Sequence, residues 1–169
     1  LGPNGAGKST VLKTLFGLLK PRQGRILLDG VDVGGATQKA LLDQGIAFVP
    51  QGRNLFGQLT VFQNLELGGF TLGMKTTHAR IPGVLEFFPR VKERLHSQAS
   101  ALSGGEQKQL EIGRALLLQP KVLLIDEPSI GLSPLLVQDV FRLLRKLADQ
   151  GTTVLMVEQN VKSALKISD

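Results

Sequence analysis

The chain has 169 residues, 42% of them hydrophobic and 20% charged, with 20 glycines and a net charge of +6, which favours one domain with a real core. No apolar run approaches the ~18 residues that span a bilayer, and with no cysteine there is neither a disulfide nor a thiolate metal site. Lys and Arg are scattered rather than clustered, and Trp and Tyr are absent, which argues against a groove for nucleic acid.

Residues 2 to 9 read Gly-Pro-Asn-Gly-Ala-Gly-Lys-Ser, a complete phosphate-binding loop. Gly2, Gly5 and Gly7, with Pro3, Asn4 and Ala6 between them, let the backbone curl so that N–H groups face the phosphates of a nucleotide. Lys8 adds a point charge near the β- and γ-phosphates, and the Ser9 hydroxyl can ligate Mg²⁺. Such a loop joins a buried strand to a helix, yet only Leu1 precedes it. The chain is therefore expected to be part of a longer protein, poorly folded and inactive when expressed alone.

Ser9 to Leu19 reads as a helix with Val11, Leu12, Leu15 and Phe16 as its apolar stripe, ended by Pro21. Gly24 to Val33 reads as two short strands about an Asp29-Gly30 turn. Ile46 to Val49 is a short buried strand stopped by Pro50. Thr60 caps a helix running to about Leu67, and helical periodicity continues from Leu85 to Leu95 around Pro89. Ser103 to Leu118 is a long helix, and Val122 to Ile125 a continuous apolar strand of the kind covered on both faces in a parallel sheet. Leu135 to Leu147 is a further helix stopped by Gly151, and Thr153 to Val157 a further buried strand. Met74 and Met156 read as packing, His78 and His96 as solvated. The fold class is α/β, a phosphate-loop NTPase with a mostly parallel sheet (residues 1–54 and 102–169) and an inserted helical subdomain (residues 55–101).

Two further motifs carry chemistry. Val122 to Glu127 is an apolar strand ending in two acids, where Asp126 would reach Mg²⁺ through water and Glu127 would orient or deprotonate the attacking water. Leu102-Ser103-Gly104-Gly105-Glu106 has the pattern of a capping box, Ser at the N-cap and Glu three residues on. The same helix N-terminus, with Ser103 and the amides of Gly104 and Gly105, suits an anion such as phosphate.

In combination and order, the phosphate loop, Gln51, Leu102 to Glu106, and Val122 to Glu127 resemble the ATP-binding cassette ATPases over essentially the whole chain. The resemblance implies a head-to-tail dimer with ATP and Mg²⁺ sandwiched between two ATPase subunits. Gly2 to Thr10 would hold one ATP while Ser103, Gly104 and Gly105 cover the ATP of the partner. Gln51 would sit near Mg²⁺ and the attacking water, with Ser9 and Asp126 as the other metal-site residues. The outer face of the helical subdomain would receive a membrane permease.

Finer strings, Phe48 to Arg53, Glu127 to Pro134 and Val157-Glu-Gln-Asn160 among them, resemble the branch that energises branched-chain amino acid importers. The ATPases of urea and short-amide importers share most of them. This branch implies two permease subunits and, indirectly, a solute-binding protein, on the cytoplasmic face of the bacterial inner membrane. Soluble cassettes acting on ribosomes or nucleic acid are a rival reading, and the short spacing from Lys8 to Leu102 disfavours the DNA-repair and chromosome-organising ones among them. Two positions depart from the wider family: Gln159 stands where most members carry a histidine that contacts the γ-phosphate, and Ser133 replaces an aspartate of the dimer-contact loop. A glutamine amide can donate to phosphate but cannot shuttle a proton, and the expectation drawn from Gln159 is pairing with a different, histidine-bearing ATPase that gives unequal sites.

Overall fold

A computed structural model describes Gly2, residues 5–52 and residues 54–168. Leu1, Pro3, Asn4, Arg53 and Asp169 lie outside the described residues, as do the side chains of Lys162 and Ser163. The frame is a parallel sheet in the order β3 (Ile46–Val49), β4 (Val122–Asp126), β5 (Thr153–Val157). Its register sets Ile46 beside Val122 and Asp126 beside Val157. A separate antiparallel hairpin joins β1 (Leu27–Leu28) to β2 (Val31–Asp32). Its turn residues Asp29 and Gly30 both have positive φ, 50° and 82°, the backbone a tight two-residue hairpin requires.

Period-two alternation along the strands sorts their side chains onto two faces. Ala47, Val49, Leu123 and Ile125 point into the larger core, with Val154 and Met156 packed against it. That core is closed by α6 (Gly104–Leu116) against β3 and by α7 (Pro134–Asp149) against β5. Ile46, Leu124 and Val157 face the smaller core, shared with Leu12 of α1 (Lys8–Leu15) and Leu41 of α2 (Gln38–Asp43). Helices α3 (Val61–Gly68), α4 (Met74–Leu85) and α5 (Pro89–Glu93) pack on α6 from residues between the first and second strands of the parallel sheet. A last helix, α8 (Val161–Leu165), comes after β5.

Several local expectations shift. Helix α1 ends at Leu15, not Leu19, because Gly17 takes φ 71°. The Leu18 and Gly17 amides then bond back to the carbonyls of Lys13 and Thr14, a left-handed helix stop that needs no proline. Residues 85–95 do not form one helix: α4 ends at Leu85 and α5 starts afresh at Pro89. Met74 is not packed but exposed at the head of α4. His78 is half-exposed and paired with Glu66 at 2.6 Å.

The capping box expected at Ser103 forms, and the expected Thr60 cap proves to be a capping box too. Thr60 accepts from the Gln63 amide while Gln63 returns a bond to the Thr60 amide, and Ser103 and Glu106 do the same at the head of α6. No helix among the described residues is long and apolar enough to cross a membrane.

Candidate active site

Parallel strands bring the residues just past their C-terminal ends to one edge of the sheet, where α/β folds build sites. Here that edge carries Gln51 after β3, Glu127 after β4 and Gln159 after β5. The three meet on one carboxylate: Gln51 Nε2 donates to Glu127 Oε2 at 3.0 Å, and Gln159 Nε2 donates to Glu127 Oε1 at 2.7 Å. Lys8 Nζ stands 4.0 Å from the same Oε1, so the phosphate loop closes the cluster from the head of α1. Glu127 is 5% exposed and has φ 47°, a left-handed backbone uncommon for a residue with a side chain and typical of functional sites. Its amide bonds to the Val157 carbonyl at 2.8 Å, fixing the turn against β5.

Asp126 shares strand parity with Val122 and Leu124 and so lies on the α1 side of the sheet, toward the loop. It is 1% exposed, and neither carboxylate oxygen has a hydrogen-bond partner among the described residues. A buried carboxylate without partners costs several kcal/mol unless something answers its charge. The Ser9 hydroxyl and the Gln51 amide oxygen would add further hard oxygens to this carboxylate, a donor chemistry that fits hydrated Mg²⁺. In the loop, Gly5 and Gly7 take φ 79° and 81°, which only glycine adopts freely. Ala6, Ser9 and Thr10 belong to the same described stretch and Gly2 is described apart from it, whereas Pro3 and Asn4 lie outside the described residues.

Ser103, Gly104 and Gly105 do not join this cluster. Ser103 and Gly104 are exposed at the head of α6, and the bonds of Ser103 run to Glu106. Burial raises the Glu106 pKa, but its two bonds with Ser103 and the charges of Arg94 and Arg90 outweigh that, leaving it below the ordinary glutamate value. Gly105 has a packing reason as well: a Cβ there would come within 2.6 Å of Leu136. Ser133 is the N-cap of α7 without a side-chain cap bond.

Sequence reasoning missed the buried polar residues behind the site. Glu158, 1% exposed, accepts from the Ser129 hydroxyl at 2.6 Å and from the Gln159 and Asn160 amides at 3.0 and 3.2 Å. It thereby ties the turn after β4 to the turn that presents Gln159. The signal was an acid directly after an apolar strand, the same pattern that flagged Glu127's strand. Lys108 and Glu111, spaced as an exposed helix pair would be, are instead both 6% exposed. Arg114 lies one turn on along the same helix, its pKa lowered by burial and partly restored by Glu111.

Residues 1–130 match the ABC transporter family. The chain is 46% identical to the high-affinity branched-chain amino acid transport ATP-binding protein BraG of Pseudomonas aeruginosa, covering all of this chain and 72% of that protein. It is 39% identical to the probable branched-chain amino acid transport ATP-binding protein LivF of Archaeoglobus fulgidus, again over all of this chain and 72% of the relative. Among solved structures, the dimeric post-hydrolysis state of the ATP-binding cassette MJ0796 bound to ADP and Pi matches at TM-score 0.81 and 30% identity. That match covers 96% of this chain and 74% of the other.

Proposed function

Because this chain belongs to the ABC transporter family of ATPases, we propose that it hydrolyses ATP to drive an importer of branched-chain amino acids, with Glu127 activating water. The observation that carries the mechanism is the grip of Gln51 and Gln159 on Glu127 beside Lys8. Each carboxylate oxygen keeps a second lone pair while held by an amide. Glu127 thus accepts a proton from water as the water oxygen bonds to the γ-phosphorus. The bond from that phosphorus to the β-bridging oxygen breaks, and ADP leaves with the electron pair. Catalysis of this kind is positioning and charge stabilisation. Lys8 and the backbone N–H groups of the Gly2 to Thr10 loop, Asn4 included and Pro3 shaping the turn without a donor of its own, bind and orient the phosphates. Ser9, Gln51 and Asp126 would hold Mg²⁺, which neutralises developing phosphate charge when bound.

Gln159 orients Glu127 but cannot itself take up a proton at neutral pH, so this chain divides differently the work that a histidine would do alone. Ser103 and Gly104, exposed at the head of α6, with Gly105 buried behind them, are assigned to the ATP of a second ATPase subunit in a head-to-tail dimer. Gln159 calls for a heterodimer with a histidine-bearing partner, which gives two unequal sites. The dimeric cassette among its structural relatives supports the pairing.

Residues 55–101 form the helical subdomain of this reading, between core segments 1–54 and 102–169. Phe56, Leu67, Phe70 and Met74 are large apolar residues left exposed around it, and such a patch suits a protein partner. We assign it to one of two membrane permeases, served indirectly by a solute-binding protein, at the cytoplasmic face of the inner membrane. The names of BraG and LivF support the branched-chain assignment over urea or short amides.

The test is Glu127→Gln in the assembled transporter. ATP binding is expected to persist while turnover falls ~10²-fold or more, the size of a positioned base. Unchanged turnover would reject Glu127 as the base.

A further inference from the structure

Lys108 and Glu111 are a buried ion pair on α6, 2.5 Å apart. A buried pair of this kind is weak support for stability, because both charges lose their water. What the pair touches is more informative. Lys108 Nζ also reaches the Gly52 carbonyl at 3.4 Å, and Glu111 Oε1 accepts from the Asn54 amide at 2.7 Å. One turn further, Arg114 Nη1 donates to the Asn54 carbonyl at 2.6 Å. Positions 108, 111 and 114 recur every third residue and lie along one side of the helix. They hold both ends of the segment directly after Gln51. Asn54 Nδ2 then reaches back to the Pro50 and Gln51 carbonyls, at 3.4 Å each. A continuous polar path therefore runs from α6 through residues 52 and 54 to Gln51, and from Gln51 to Glu127.

The head of the same helix is Ser103. Lys108 lies five residues along, about 7.5 Å at the helical rise. Gly104, Lys108 and Glu111 line one cavity with Gly52, Gly131 and Leu132, so the helix head, the segment after Gln51 and the turn after Glu127 border a common space. We propose that Lys108 and Glu111 are positioning residues for Gln51, and that α6 thereby couples the nucleotide covered by its head to the water-activating carboxylate of its own subunit. The coupling rests on the assignment of Ser103 to Gly105 to the partner's ATP. The positioning of Gln51 does not.

The experiment uses the full-length subunit in its assembled transporter. The double variant Lys108→Met with Glu111→Leu removes both charges together, leaving neither stranded. Expected results are an ATP KM within about twofold of the parent, kcat reduced about tenfold, the scale of one misplaced hydrogen bond, and a Hill coefficient for ATP that falls toward one. In a Gln51→Ala background the double variant is expected to cost nothing further in kcat. Lys108→Arg, which keeps the charge and the carbonyl contact, should hold kcat near the parent and covers the case in which the double variant does not fold.

A double variant with parental kcat overturns the proposal, as does a kcat loss that adds in full to that of Gln51→Ala. A tenfold loss by Lys108→Arg would do so too. Loss of kcat with an unchanged Hill coefficient overturns the coupling and leaves the positioning role. Glu127→Gln, run alongside, separates the claims: if it abolishes turnover while the double variant does nothing, only the positioning of Gln51 by Lys108 and Glu111 is wrong.

Discussion

Two parts of the molecule handle phosphate chemistry in opposite ways. At the edge of the parallel sheet, Lys8, Gln51, Glu127 and Gln159 converge on one another, and the buried Glu158 braces the turns that carry two of them. At the head of α6, Ser103 and Gly104 are exposed, and Ser103 is braced by Glu106 and Gln107 of its own helix. The first region is organised inward before anything binds; the second presents amides to something outside the fold. The contrast is what a composite site requires, since the chemistry must be pre-set and the closing half must remain accessible.

The contrast is broken most severely by Ser103→Asp. Aspartate is as good an N-cap as serine, so the melting temperature should hold, while its charge repels a partner's phosphate. Turnover in the assembled dimer is expected to fall about 10²-fold with ATP binding by the variant subunit retained. Unchanged turnover would reduce Ser103 to a helix cap. Lys8→Ala acts on the inward half and should weaken ATP affinity about 10- to 100-fold, as for a lost charge-assisted bond; equilibrium titration of labelled ATP checks this, and full affinity would count against the loop's assignment.

The smallest effect concerns stability at acid pH. The folded-state pKa of Glu106 is lowered, so its contribution is present above the unfolded glutamate value. It is lost as pH falls through the lower, folded one. Glu106→Gln should therefore flatten the pH dependence of melting below pH ~5 and change little at neutral pH.

How much of this was legible in sequence tracked the range of the interaction. The Thr60 cap, the Ser103 capping box and the Asp29-Gly30 turn depend on residues within a few positions, and each formed as expected. Period-two alternation sets Asp126 on the α1 side of β4, a placement that a strand apolar on both faces does not reveal in its sequence. Gln51 and Glu127 lie 76 positions apart; family resemblance brought them together, and no local pattern could. Lys108 and Glu111 were invisible for the same reason. Their spacing marks a solvated helix face until residue 54 folds over them. Helix α4 was hidden by Pro82 and Gly83 in its last turn.

The central claim is that Gln159 acts through Glu127 rather than beside it. Single-turnover ATP hydrolysis by Gln159→Ala, measured in the parent and in the Glu127→Gln background, tests it most directly. The geometry predicts about tenfold slowing in the parent and no further slowing once Glu127 is gone. A loss of the same size in both backgrounds would contradict it.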